Sequence, residues 1–343
     1  MWRGLRRLVT RQRPTRLALQ WQITERCHQR CAHCYQDGPL PQELPFPEWR
    51  ALLQQFKELL ESIEPGGYGQ VAISGGEPFL RPDCMDLLEA LAAEKPRLSF
   101  TVLTNGAFIG DATARQLRAL GPRYVQVSVE GVEETHDRIR GEGSYAAAVE
   151  AIERLVHERV PTLISFTAHR QNFREFPQVA LLGLRLGVTR VWADRLIPLG
   201  RGASFEPLTP EETREFFELM RAARVRVPQV AMHRALQFLS CGGRPYRCPG
   251  GDSLLALQPN GDVYPCRRLP LRAGNALETP LVELYHRSPL LHALREAPSP
   301  AECHACRHAE TCRGGLRCLA HAVTANAFRA DPGCWLTTRP LAP

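Results

Sequence analysis

The chain has 343 residues, 44% of them hydrophobic and 23% charged, which is enough for one large core with a smaller unit beside it and too apolar for a disordered chain. Its formal charge of +7 carries no nucleic-acid signature, because the arginines are scattered and form neither a basic tail nor a pattern interleaved with aromatics. Twelve cysteines without an export signal argue for metal ligation in a reducing cytoplasm rather than for a disulfide framework.

Residues 1–15 read as a basic tail in which Arg11 and Arg13, followed by Arg16, interrupt any apolar run before it reaches export length. No stretch of the chain reads as a membrane span. From residue 16 onward, strand-like and helix-like segments alternate. Residues 17–24 read as a strand that delivers Cys27, Cys31 and Cys34 at its C-terminal end. A helix opening at Pro47 places Trp49, Leu52, Leu53, Phe56, Leu59, Leu60 and Ile63 on one face before Pro65-Gly66-Gly67 stops it.

Residues 70–74 form the second strand, ending in Gly75-Gly76-Glu77-Pro78, and the helix after it carries Cys84, Leu87, Leu88 and Leu91 on one stripe. Cys84 there is a core thiol. Strands at 98–103, 124–129, 161–167 and 188–197 follow, with helices at 112–120, 145–159 and 176–186. Repeated βα units demand parallel strands and right-handed crossovers, in an open doubly wound sheet or a partial barrel. Polar and glycine motifs at the C-terminal ends of strands one to four favour the barrel. Residues 206–240 bridge to a last region, with Thr209 as N-cap and Pro210 at the first position of a helix. Residues 241–343 hold eight of the twelve cysteines: Cys241, Cys248, Cys266, Cys303, Cys306, Cys312, Cys318 and Cys334.

The chemistry starts from the CxxxCxxC motif. Three thiolates leave one iron of a four-iron cluster without a protein ligand and free to bind a small molecule, whereas structural clusters and structural zinc use four ligands. The residues alone leave zinc open. Eight further cysteines are the number needed for two four-thiolate clusters. Three such clusters would lower the formal charge from +7 to about +2, because ligating thiols are deprotonated.

The motif, with aromatic His33 before its third cysteine, resembles the signature of the radical S-adenosylmethionine (radical SAM) enzymes. The likeness covers roughly residues 16–205 and implies an α/β fold, a partial (βα)6 TIM-like barrel. It also implies that Cys27, Cys31 and Cys34 hold a catalytic 4Fe-4S cluster, and that His33 belongs to the cofactor site. Gly75, Gly76 and Glu77 resemble the family's GGEP motif, which meets the amino group of SAM. Ser128 and Arg140 resemble positions that hold its carboxylate, with a surface pair between Arg140 and Asp137 as the alternative. Asn105 is a further cofactor position that a plain Asn-Gly turn also explains. Glu130 stands where an aspartate is more usual.

The run from Cys241 to Cys334 resembles the SPASM domain of peptide-modifying radical SAM enzymes, a small cysteine-rich iron-sulfur domain. It implies one auxiliary cluster on Cys303, Cys306, Cys312 and Cys334, and another on Cys241, Cys248 and Cys266 with Cys318 as fourth ligand. One departure stands out. Leu316 follows Gly314-Gly315 where the family places a cysteine, and on a helix Cys318 would point about 200° away from it.

The resemblance implies SAM as cofactor, an electron donor such as flavodoxin or ferredoxin, and a ribosomally made peptide as substrate, crosslinked, thioether-bridged or epimerised. Only 26 residues precede Cys27, so leader recognition calls for a separate leader-peptide-binding protein or the SPASM surface. Two alternatives share these motifs: an enzyme acting on a tetrapyrrole or other small cofactor precursor, and a non-catalytic electron carrier or scaffold. Arg267 replaces the aspartate that follows the SPASM cysteine in the sulfatase-maturing branch, which sets this chain apart from it.

Overall fold

The computed structural model describes residues 16–36 and 42–337, so the basic tail expected over 1–15 lies outside the described residues. The alternating region folds as β1 (Arg16–Thr24), α1 (Phe46–Ile63), β2 (Tyr68–Gly75), α2 (Cys84–Ala93), β3 (Leu98–Thr104), α3 (Asp111–Leu120), β4 (Tyr124–Ser128), α4 (Glu133–Arg140), α5 (Ser144–His157), β5 (Thr162–Ala168), α6 (Phe176–Arg185) and β6 (Arg190–Arg195). The chain continues through α7 (Pro210–Arg226), β7 (Val230–Ala231) and α8 (Phe238–Cys241). Three short strands follow, β8 (Leu254–Leu257), β9 (Asp262–Tyr264) and β10 (Gly274–Asn275). The last helices are α9 (Leu281–Arg287), α10 (Pro289–Glu296), α11 (Ala309–Cys312) and α12 (Arg317–Thr324).

β1 to β6 pair in sequence order, all parallel, as repeated right-handed βα units require. This is the partial (βα)6 barrel. The apolar stripe of α1 is buried at Trp49, Leu52, Leu53, Phe56, Leu59 and Leu60, and Trp49 stacks on Trp21 of β1 at 4.5 Å between ring centroids. Each such side chain contributes about 1.5–3 kcal/mol by leaving water. On the far side, Phe216 of α7 packs against Phe166, Phe173 and Phe176, which fastens the bridging helix to β5 and α6. Thr209 and Glu212 form the reciprocal cap of α7, the N-terminal signal read from Thr209-Pro210. Cys84 is fully buried on α2, and burial pushes its thiol up to about 12.

Two elements were not legible in the sequence pattern. α4 is so polar that its eight residues bury only Thr135, His136 and Ile139, too few for a periodic stripe. The C-terminal strands join the main sheet, in the order β10-β9-β8-β1-β2-β3-β4-β5-β6-β7. β8 runs parallel to β1, from Ala18 opposite Leu254 to Trp21 opposite Leu257. Hydrogen bonding thus continues from the barrel into the cysteine-rich region.

Candidate active site and its family

The cysteine loop follows directly from β1, where the register against β2 shifts between Gln22 and Thr24. Main-chain bonds hold it: the Ala32 amide donates to Ile139 O at 2.8 Å and the Gly202 amide to Cys34 O at 3.0 Å. Arg201 Nε donates to Cys31 O at 3.1 Å. Gly75 and Gly76 press against the same loop, with the Gly76 amide donating to Thr24 O at 2.8 Å and the Glu77 amide to Arg26 O at 2.9 Å. A Cβ at either glycine would overlap Thr24 O or Arg26 O, and Gly75 also needs φ +149°. The glycine pair is therefore required by the approach of two backbones, whatever else binds there.

Cys27, Cys31 and Cys34 line a cleft of about 600 Å³ at the C-terminal ends of the strands, together with His33, Gly75, Gly76, Asn105, Ser128 and Arg140. This is the end at which barrel enzymes gather their active sites. The three thiols form no disulfide. Burial raises the Cys27 pKa most, and Cys31 and Cys34 push it further in the same direction. A four-iron cluster takes one thiolate per iron, a wider spread than one ion demands. Among the described residues no three His, Cys, Asp or Glu side chains form a group that could hold a single metal ion. A loop with three free thiols facing an open cleft fits an iron-sulfur cluster with one iron left open.

Arg140 does not pair with Asp137, whose carboxylate instead accepts from the amides of Gly143 and Tyr145 at the start of α5. Its Nη2 and Nε donate to Glu130 Oε1 at 2.5 and 3.1 Å, and its Nη1 lies 3.8 Å from Cys31 Sγ. Glu130 is buried, accepts from the Thr167 amide at 2.7 Å and lies 3.5 Å from His33 Nε2. Burial alone would raise its pKa, but Arg140 and His33 overcome this and hold it well below the carboxylate range. Glu130 is thus the counter-ion of Arg140, a role that an unusual residue beside a strand end did not reveal. The Nη1 of Arg140 faces the cysteine loop.

Glu77 does not line the cleft. It is fully buried beneath it and accepts from Thr104 Oγ1, the Asn105 amide and the Phe79 amide at 2.8, 2.9 and 3.3 Å. Asn105 Oδ1 accepts from the Ala107 amide, the turn chemistry expected of Asn-Gly. Burial raises the Glu77 pKa to about 7 despite these donors. The native state therefore binds this proton more tightly than the unfolded chain, so the associated stability is intact below about 4.5 and is lost as pH rises through about 7. Glu77→Gln should remove that slope. Urea midpoints of parent and variant at pH 5 and pH 8 should differ in their pH dependence by on the order of 3 kcal/mol, and parallel profiles would exclude the ionisation.

Seven of the eight C-terminal cysteines fall into two groups. Cys303, Cys306, Cys312 and Cys334 line one small cavity with Phe238 and Asp331. Burial, then its three neighbouring thiols, pushes Cys303 up to about 12. Cys266 and Cys318 are buried in one apolar cluster with Leu316, and burial raises the Cys318 pKa most, with Cys266 and Cys248 adding to it. Leu316 is the extended N-cap residue of α12. The helical separation of 200° does not apply, because the chain is not yet helical there. Cys241 stands apart at the end of α8, with its Sγ 3.4 Å from Gly242 O and 3.7 Å from Met232 O.

The cysteine-rich region also closes the open side of the barrel. Arg268 pairs with Asp194 of β6 at 2.9 Å, and Arg195 with Asp331 at 2.6 Å. Gln20 Oε1 on β1 lies 3.4 Å from Cys266 Sγ and accepts from the Arg267 amide at 3.1 Å. Lone polar residues on strands gave no signal of these contacts.

A family model described as the radical SAM superfamily matches residues 21–182, and one described as an iron-sulfur cluster-binding domain, SPASM, matches residues 248–307. Mycofactocin maturase MftC of Mycolicibacterium smegmatis is 32% identical, over 93% of this chain and 82% of its own length. This chain belongs to the radical SAM superfamily. The radical SAM chain is also 26% identical to the AdoMet-dependent heme synthase of Methanosarcina barkeri, over 92% of this chain and 95% of that one. Its fold resembles Streptococcus suis SuiB, solved bound to the precursor peptide SuiA, with a TM-score of 0.77 at 17% identity over 94% of this chain and 76% of that one. The chain is therefore an enzyme of radical oxidoreductive chemistry whose domains imply iron-sulfur clusters and SAM. Among the described residues no helix is long and apolar enough to cross a membrane.

Proposed function

We propose that this radical SAM enzyme modifies a ribosomally synthesised peptide by hydrogen abstraction, introducing a crosslink, a thioether or an epimerised residue. The observation that carries the proposal is the cleft: three free thiols on one loop, polar strand ends beside them and room for a second ligand. Cys27, Cys31 and Cys34 would hold the catalytic cluster, which with SAM supplies a 5′-deoxyadenosyl radical. Ser128 and Arg140, which line the cleft beside the cysteine loop, would hold the SAM carboxylate. Gly75 and Gly76 shape the loop and let a ligand approach the backbone. Similarity to a maturase over most of both chains supports the peptide reading. An electron donor such as flavodoxin or ferredoxin and a separate leader-binding protein would complete the system.

The C-terminal thiols would hold two auxiliary clusters, one on Cys303, Cys306, Cys312 and Cys334 and the other on Cys248, Cys266 and Cys318 with Cys241. Anaerobic reconstitution should then load close to twelve irons per chain, about four for each cluster, with little zinc. Iron and zinc by plasma emission would check this, and a zinc-dominated preparation would overturn it. The substrate test is co-expression with any short peptide found encoded beside this gene, read by mass spectrometry. A crosslink or thioether removes two hydrogens and an epimerisation leaves the mass unchanged, so chiral amino-acid analysis accompanies the mass; a peptide unchanged by both measures with active SAM cleavage would be excluded.

A second reading has its own support. Of the seven arginines that line the cleft, Arg26, Arg140, Arg195 and Arg268 are paired with carboxylates, and the other three, Arg30, Arg201 and Arg267, suit a polycarboxylate such as a tetrapyrrole; the heme synthase is similar over nearly its whole length.

A further inference from the structure

The cleft has two unlike walls. The positions proposed for SAM sit at the ends of β2, β3 and β4, where Arg140 is already matched by Glu130. The other wall is built from the end of β6 and the turn after β9, drawn together by the Arg268–Asp194 pair. Two arginines there, Arg201 and Arg267, line the cleft and have no acidic partner among the described residues. They act electrostatically on the adjacent residues Cys34 and Tyr35.

Arg267 is anchored at its root. Its amide is held by Gln20, and its neighbour Arg268 is held by Asp194. Its Nε is nonetheless buried without a hydrogen-bond acceptor. A charged donor removed from water and left unpaired is costly, and a carboxylate presented edge-on to a guanidinium removes that cost with two parallel hydrogen bonds.

We infer that Arg267, assisted by Arg201, is a carboxylate-binding site for the substrate, on the part of the cleft built from the end of β6 and the turn after β9. It deepens the proposed function, resting on that reading only in that substrate and SAM share this cleft. The carboxylate is an acidic side chain or C-terminus of a peptide, or a propionate of a tetrapyrrole. Both offer the same planar anion.

The test uses the full-length reconstituted protein with SAM bound and four fluorescent or chromophoric probes: a glutamate-rich nonapeptide, its glutamine counterpart, a tetracarboxylate porphyrin and its methyl ester. At least one acidic probe should bind about tenfold or more tightly than its neutral counterpart, and Arg267→Gln should cut that preference to about twofold or less. Arg267→Lys, which keeps charge but loses the fork, should fall between them. Arg287→Gln removes the same charge from an exposed helix position outside the cleft and should keep the full preference. Equal affinity for acidic and neutral probes in the parent, or a preference that survives Arg267→Gln, overturns the site. A preference confined to the porphyrin pair supports the site while removing the peptide substrate. Absence of both preferences in the parent protein with SAM cleavage intact removes the site and leaves the radical SAM assignment standing.

Discussion

Replacing Cys27, Cys31 and Cys34 together by alanine should abolish reductive cleavage of SAM while iron remains in the C-terminal region. The loop is held by its main chain, through Ala32 to Ile139, Gly202 to Cys34 and Arg201 to Cys31, so removing three thiols takes away ligands without removing the contacts that shape it. The C-terminal thiols lie on other elements and share no residue with it. Iron should fall by about one third and 5′-deoxyadenosine by several orders of magnitude, because no remaining group is placed to reduce SAM. Chromatographic assay of 5′-deoxyadenosine beside iron analysis reads both quantities. A parent-level rate would move the catalytic centre elsewhere, and loss of all iron would show that the two regions fold or load as one.

Asp331→Ala should be the most destabilising single change. Asp331 is fully buried and accepts from Arg195 Nη1 and Nη2 at 2.8 and 2.6 Å, from the Leu316 amide at 2.9 Å and from the Gly333 amide at 3.0 Å. One carboxylate therefore joins β6 to the turn before Cys334 and to the start of α12, which carries Cys318. Its removal leaves Arg195 charged, buried and without its partner, a change that costs about 3–5 kcal/mol. The same loss frees the two segments that place Cys318 and Cys334. The denaturation midpoint of the reconstituted protein should drop, and the irons of the C-terminal region should be lost before those of the catalytic loop. Arg195→Met with Asp331→Asn should recover part of the stability, since no buried charge is left unpaired and the asparagine carbonyl can still accept from a main-chain amide. An unchanged midpoint in Asp331→Ala would mean that the pair contributes little.

How far the sequence could be read depended on the range of the interaction. The barrel strands and their helices announced themselves because each follows local rules: an apolar stripe at helical spacing in α1, turn residues at the strand ends, and a proline and a capping threonine at α7. The cysteine motif was equally legible, since its chemistry lies within one short loop. The role of Gly75-Gly76 was half legible. Its place on a strand end could be read, but the backbone it presses against belongs to another strand.

Tertiary structure alone decided the rest. Glu130 pairs with Arg140 ten positions away across a helix too polar to show a stripe. Glu77 is buried beneath the cleft because its carboxylate joins β2 to the end of β3. Leu316 and Cys318 come together because the helix begins only after Leu316. β8 could be placed against β1 only by hydrogen bonds between residues more than two hundred positions apart. The clasp of Asp194, Arg195, Arg268 and Asp331 likewise joins distant segments through charges that are unremarkable one by one. Local spacing therefore determined which chemistry the chain carries, whereas burial and long-range pairing decided which of its polar residues serve the site and which hold it together.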